Sequence, residues 1–407
     1  MVTHKKVVKK MHNKGRQSRS VVTVVGVVKV VRRWWYAADH GSVVPADEVI
    51  DPGLASVSLG VREMACRLNN DSTSFDKTAA NLNRTAIIQM SGEQVRKVVQ
   101  AEGRAVLAAQ QDNTLPTAFQ AAECVVNASL PKAEQTTRIY HGVDGVMVPI
   151  ITDAEKVKRR TKVSQKRQKS GKKCRPLPAR RKGANESYKE FKTITFYSEC
   201  GKHWHEVLSR VSRKKVGALV RREAARLGFK DADEKIANVD GASWISLQLT
   251  ARPDKLPLDG LGLDFYHLGE NIHKCRRGVF GDDDAAGQKW ASDLCHTLKH
   301  EGYEPAWESL TKWRATLRSP AKKKHADRLL NYVSDRRDMI QYPDFIKKNW
   351  QIGSGPTESR CKTSTSRLKG RGRRWDMPTA ESTAALTTLQ DSGQWHLYWP
   401  IPGLAKI

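Results

Sequence analysis

The pattern of apolar and polar positions divides the chain into an N-terminal region and an alternating one. Residues 1–20 are polar and basic without periodicity, which predicts a disordered tail. Residues 21–36 (VVTVVGVVKVVRRWWY) are rich in β-branched and aromatic side chains and predict strands with Gly26 at a turn. AADHG (37–41) reads as a turn. Residues 54–110 take up helical periodicity, and within them two patterns are divided by MSGEQV, where Ser91 can cap the second helix with Gln94 at the capping-box position. A short helix, a turn and a second helix bearing Arg96 and Lys97 suit a helix-turn-helix-like DNA reader or an ordinary helical hairpin equally well. Residues 111–136 form a polar connection.

From residue 138 strands and helices alternate. RIYHGVDGVMVPI (138–150) is a β-type run broken by Asp144-Gly145, and ESYKEFKTITFYS (186–198) alternates like a strand. Residues 205–229 read as a helix. EKIANVDGASWISLQL (234–249) reads as a strand ending at Asp240-Gly241, then a further β-type run. LGLDFYHLGENIHKCRRGVF (261–280) runs from strand into helix, 282–348 is helical, and 353–372 is a glycine turn leading into a helix. This order predicts an α/β fold with a mixed sheet.

The 407 residues suit two or three domains. Charge then narrows the partner: 71 Lys+Arg against 43 Asp+Glu give +28, an excess that repels itself unless a polyanion neutralises it. Residues 157–183 carry 13 Lys/Arg and no acid, which predicts a phosphate-binding loop or arm. The seven cysteines are odd in number with no CxxC pair, arguing against a disulfide framework and a thiolate zinc site. No apolar run of membrane-spanning length occurs, and the basic start lacks an apolar signal core, so a cytoplasmic, nucleoid-associated protein with no membrane partner is expected.

Phosphodiester chemistry needs carboxylates converging on hard cations. Asp144 and Asp240 each precede a glycine in an apolar β-type run; the plainer reading of each is a hairpin turn. Glu358 follows Gly353, Gly355 and Pro356, and falls in the first turn of a helix, where the helix dipole alone would favour an acid.

Together these motifs resemble the ISKra family of bacterial insertion-sequence transposases, which group with the Mutator-like DDE enzymes. The resemblance lies in the order of Asp-Gly, DGAxWI, DFYH and IGSGxxES followed by RLKGRGRRW, and it extends over roughly residues 20–400. It implies an RNase-H-like catalytic domain with a mixed sheet, interrupted by an all-helical insertion, plus a small N-terminal β and helical DNA-binding region. The expected limits are 1–20 for the tail, 21–136 for the DNA-binding region, 137–270 and 351–407 for the catalytic domain, and 271–350 for the insertion. It also implies that Asp144, Asp240 and Glu358 bind two Mg2+ or Mn2+ ions. Asp264 and His267 match a C/D-x-x-H box, with His267 in a catalytic part and Asp264 orienting. Family members carry a cysteine pair near 37–41; here Asp39 and His40 remain, which weighs against a zinc ribbon and also fits a decayed copy.

The expected function is cleavage of transposon ends and strand transfer. The partners are double-stranded DNA, both terminal inverted repeats and target, and a second copy of the chain or more in the synaptic complex. Arg360, Lys362, Arg367, Lys369, Arg371, Arg373 and Arg374 follow Glu358 and are candidates for DNA contact, with Lys166, Arg167 and Lys172 of the basic block. Other uses of the same residues are an inactive DNA-binding relic, an RNase-H-like nuclease without strand transfer, and, more remotely, a passive RNA binder. His141 reads as structural, and His203 and His205 as part of an exposed polar stretch. Trp290, Trp307 and Trp313 suit helix packing better than stacking on an unpaired base.

Overall fold

The computed structural model describes residues 11–38, 41–50, 56–173, 185–213, 215–242, 245, 249–250 and 255–399. Strands β1 (His12–Thr23) and β2 (Gly26–Ala37) form an antiparallel hairpin, with β3 (Gly41–Val43) on the other edge of β2. The tail expected over 1–20 is therefore overturned from His12 onward. β1 has little apolar alternation of its own; pairing with the valine-rich β2 fixes it, a tertiary effect that propensity misses. Residues 1–10, Asp39 and His40 lie outside the described residues.

Four helices follow: α1 (Pro45–Ile50), α2 (Leu59–Asp71), α3 (Phe75–Thr85) and α4 (Gly92–Gln111). The capping box of α4 forms as expected: Gln94 N donates to Ser91 Oγ at 3.3 Å and Ser91 N to Gln94 Oε1 at 2.8 Å. Val95, Val99 and Val106 of α4 are buried in one cluster with Ala385, Leu386 and Leu389, far along the chain. The helical part of residues 21–136 is thus packed onto the C-terminal region.

The main sheet contains β4 (Arg138–Pro149), β5 (Tyr188–Ser198), β6 (Trp204–Ser209), β7 (Glu234–Val239) and β8 (Gly260–Leu263), in the order β6-β5-β4-β7-β8. β5 is antiparallel to β4 and β6, while β4, β7 and β8 are parallel. Two readings change here. β4 is not broken at Asp144-Gly145, because both residues keep their register against Thr193 and Lys192 of β5. Residues 204–209 are a strand, not the start of a helix; the helix α6 begins later (Val216–Arg226). HEVLS fits either period, and pairing with β5 decides it. Of the β-type run expected after Asp240, the described residues Ile245, Leu249 and Thr250 are helical.

The basic block also changes. Its first part lies in helix α5 (Asp153–Gln168), which no buried residue anchors and which begins at a Thr152–Glu155 capping box. A run without acids can still be helical when a good cap starts it and its basic face stays in water. Residues 174–184 lie outside the described residues.

After β8 the chain is helical as expected: α7 (Phe265–Phe280), α8 (Ala285–His300), α9 (Tyr303–Thr316), α10 (Pro320–Ser334) and α11 (Tyr342–Lys347). α12 (Gly355–Thr363), α13 (Ser366–Lys369), α14 (Met377–Asp391) and α15 (Trp395–Tyr398) complete it. No helix among the described residues is long and apolar enough to cross a membrane. On one face of the sheet the Tyr140, Tyr197 and Trp204 rings stack in a row, 5.4 and 4.9 Å apart. On the other, Ile139, Val143, Phe196 and Val239 join the large core shared with α6 and α7–α10.

α12 crosses the first face at Gly142. A Cβ built there would lie 2.0 Å from Thr357 Oγ1, so only glycine lets the helix approach this closely. Thr357 Oγ1 also lies 2.9 Å from Thr195 Oγ1 of β5. Gly142→Ala is expected to cost about 1–3 kcal/mol through overpacking. Urea unfolding measures it, and adding Thr357→Ala should recover part of the loss; an unchanged midpoint in the single variant would disprove the close approach.

Candidate active site

The ladder sets the geometry. Arg138 of β4 pairs with Glu234 of β7, and the offset is kept to His141 opposite Ala237. The ladder ends there, three residues short of Asp144 and Asp240, and its offset sets both aspartates on the same face of the sheet. In the same way Ile236 pairs with Gly260 of β8 and Val239 with Leu263, so the next position sets Asp240 beside Asp264. Asp264 N donates to Val239 O at 2.8 Å, which carries the β7–β8 ladder to that point. Alternation then puts all three aspartates on the face carrying Gly142, beneath α12. Asp240 and Asp264 directly follow the carboxyl ends of β7 and β8, where open α/β sheets bind ligands, while Asp144 lies midway along β4.

The three carboxylates have different partners. Asp264 is fully buried and saturated. As N-cap of α7 its Oδ1 accepts His267 N at 2.7 Å and His267 Nδ1 at 3.1 Å. Its Oδ2 accepts Ser354 N, and Ser354 Oγ at 2.8 Å. Burial pushes this carboxyl up, but the hydrogen bonds from His267 and Ser354 outweigh it and leave it at about 2. Asp240 is half-buried, and its Oδ1 accepts Ala242 N at 2.8 Å across a turn in which Gly241 has φ +78. Asp144 is half-buried as well; its Oδ1 accepts Gly145 N at 2.6 Å.

Glu358 enters from the first turn of α12, with Pro356 at the helix start as expected. Its Oε1 lies 3.3 Å from His267 Nδ1 and 3.4 Å from Ser354 Oγ. One turn further on, Cys361 meets Asp144; burial and that carboxylate push its thiol up. α12 therefore touches the aspartates at both its ends, through Ser354 at Asp264 and Cys361 at Asp144.

Asp264, His267 and Glu358 each offer an atom within 4.8 Å of the others, which is close enough for a shared ion. The donor chemistry argues otherwise. Both Asp264 oxygens are already spent, and His267 is a donor: the Asp264 hydrogen bond, the Asp264 charge and the Glu358 and Asp240 charges raise it against burial to about 9. The His267 Nδ1 is already engaged by Asp264 Oδ1 at 3.1 Å. The oxygens that carry no hydrogen bond among the described residues belong to Asp240 and Glu358, and Asp144 adds a half-exposed carboxylate. These are oxygens of the kind a hard divalent cation takes, but among the described residues Asp144 and Asp240 are not grouped with Glu358 within 4.8 Å; Asp264 and His267 hold Glu358 in place.

The chain matches no protein-family model and none of the curated proteins with which it was compared.

Other candidates separate by burial. Arg367 is corrected: it is buried, donates to Asn69 O at 3.2 Å and Thr73 O at 3.1 Å, and lies over the Phe75 and Trp375 rings. Burial lowers its pKa to about 10. Arg360 is tied up too, 4.6 Å over Trp204 and 3.7 Å from Asp391. Arg373 donates to Arg367 O at 2.8 Å, and Arg374 to Glu155 and to Ile150 O at 2.9 Å. Lys362, Lys369 and Arg371 are exposed with no ion pair among the described residues, as are Lys166, Arg167 and Lys172 at the end of α5. His205 is not exposed: it is buried with Nε2 3.0 Å from Glu223 Oε2. His141 is buried, its Nδ1 2.9 Å from Thr195 O. Trp290 and Trp313 pack on each other at 4.3 Å, and Trp307 lies 5.7 Å from Tyr303.

Two residues of the site were not singled out from the sequence, although Ser354 lies within the IGSG motif. Ser354 reaches Asp264 only through the fold. Arg336, one of many basic residues in its segment, donates from Nε to Gly241 O at 2.9 Å and braces the Asp240 turn.

The His267 shift has a pH consequence. Its folded pKa of about 9 exceeds the ordinary imidazole value of about 6.5. Its contribution to stability is complete below pH ~6.5 and is lost as pH rises through about 9. Thermal unfolding of the protein against His267→Gln should show the difference shrinking over that window. NMR titration should find the pKa falling in Asp264→Asn; no fall would remove Asp264 as the cause.

Proposed function

We propose that the chain is a DDE transposase that cleaves DNA ends and joins them to target DNA, with an RNase-H-like core interrupted by a helical insertion. The observation that carries the reading is the convergence of Asp240 and Asp264, just past β7 and β8, with Glu358 of α12 on His267, while Asp144 of β4 meets Cys361 of the same helix. The core is supported by a mixed sheet with β4 at its centre and a late helix over its face. α7–α10, between the second aspartate and the glutamate, correspond to the insertion.

Asp144, Asp240 and Glu358 would hold two Mg2+ or Mn2+ ions, which when bound neutralise charge on the attacking and leaving oxygens. The protein's own residues supply position. Arg336 and the left-handed Gly241 fix the Asp240 turn. Asp264 orients His267, and His267 with Ser354 orients Glu358. At neutral pH His267 is a cation beside these carboxylates, a group that can also face a DNA phosphate. Lys362, Lys369 and Arg371 beyond Glu358, Lys166 and Arg167 on α5 and Lys172 just after it are the exposed charges available to the DNA backbone. Bringing two DNA ends together calls for at least a dimer, in a bacterial cytoplasm.

Asp144→Asn, Asp240→Asn and Glu358→Gln should each lower cleavage of an element end in Mg2+ or Mn2+ by roughly a thousandfold while leaving DNA affinity within a few-fold. Cutting at the full rate by the Asp240 variant would refute the assignment. The joined product separates strand transfer from simple hydrolysis. Lys369→Ala and Arg371→Ala should each weaken binding at every sequence and reduce the salt slope by about 1. Arg367→Ala should instead lower the unfolding midpoint, because it leaves buried acceptors unpaired.

A further inference from the structure

A cleft of about 890 Å³ opens beside the carboxylates, between α7, α8 and the turn before α12. We propose that it binds an unpaired DNA strand next to the phosphodiester to be cut. The proposal deepens the transposase reading and rests on it for the place of the cut.

Adjacency comes from Gly353. The position its Cβ would take is 3.5 Å from Asp264 Oδ2 and 3.7 Å from the Tyr266 ring, so one backbone residue separates carboxylate and aromatic. Tyr266 and His267 are neighbours on the first turn of α7. His267 turns toward Glu358, and Tyr266 lines the cleft.

The lining suits a strand with free bases. Tyr266 is 74% exposed and has no ring or hydrogen-bond partner among the described residues, whereas Trp290, Trp307 and Trp313 of the same helical segment are packed. The face of such a ring accepts the face of a base, and only an unpaired base has a face to offer. Gly269 lies one turn along, with nothing within 4 Å of where its Cβ would stand, and leaves room for that base. His273 and Arg277 continue the same stripe, which from Tyr266 spans about 16 Å of helix. Arg277 has no ion pair among the described residues, and Lys299 stands 6.0 Å over the Phe265 ring on the α8 side. The one acid of the lining, Glu270, is 3.7 Å from Lys274. A stacking ring, an open glycine and cations at helical spacing form a track for a polyanion with exposed bases.

The test measures equilibrium binding of the full chain carrying Glu358→Gln, so that cutting does not intervene. The probes are a blunt duplex and the same duplex ending in unpaired thymidines. The tail should tighten binding at least tenfold. Tyr266→Ala and Gly269→Leu should each remove about tenfold of that gain and leave the blunt duplex unchanged. Tyr266→Phe should keep the gain, and Gly269→Leu adds a side chain in open space, so its unfolding midpoint should not fall. A tail without effect, or equal losses on both probes, would overturn the proposal. The two readings fail separately: a tail preference in a wild-type protein that cannot cut sinks the transposase alone, and cutting without tail preference sinks the cleft alone.

Discussion

Parallel strands in register place like side chains side by side, and here that sets Asp240 next to Asp264 and leaves Asp144 on the same face of the sheet. Neighbouring strands are about 4.8 Å apart, too close for acids to be indifferent to each other. The rest of the site answers this crowding. Asp264 is neutralised from within the fold by the α7 N-terminus, by His267 and by Ser354. Asp240 and Asp144 keep one backbone donor each and remain half-exposed. With Glu358 added, three acids, Asp264, Glu358 and Asp240, act on the one imidazole of His267. An arrangement so short of positive charge is stabilised by any cation it takes up, which is the physical ground for proposing a divalent ion there.

The same accounting divides the basic residues. Positive charge that the fold needs is bonded, and in Arg367 also buried: Arg367 under α2 and α3, Arg360 on Trp204, Arg374 on Glu155 and Ile150. Positive charge that it does not need stays on the outside of α5 and in the loop beyond α13. A net +28 therefore overstates the surface available to DNA, yet the exposed remainder lies on segments that leave the candidate site along the chain.

How much of this could be read from sequence depended on the range of the interaction involved. The Ser91–Gln94 box, the entry of α12 at Pro356 and the β8-to-α7 junction at Asp264 are local, and each was legible. The basic block needed only its cap: Thr152 and Glu155, three residues apart, start a helix where charge alone suggested a loop. Long-range effects were not legible. Strand β1 depends on β2, β6 depends on β5, and the role of Arg367 depends on carbonyls 298 and 294 positions away. The candidate acids lie between these cases. Asp144, Asp240 and Glu358 were visible as motifs, but their relation to Asp264 appears only once the register is known. That register gives Asp264, which still orients His267, its place beside the end of β7.

α7 ties these levels together. Its first turn presents His267 to Glu358 and Tyr266 to the cleft, and about 20 Å away its last residue, Phe280, lies within 6.0 Å of both Trp290 and Trp313. One end is fixed by the Asp264 cap and the other by aromatic packing. A helix free to roll by a single residue would turn its side chains through about 100° and carry His267 away from Glu358. The tryptophans of α8 and α9 thus bear on the carboxylates without touching them. They fix the roll of the helix that decides which side chain meets Glu358 and which meets the cleft.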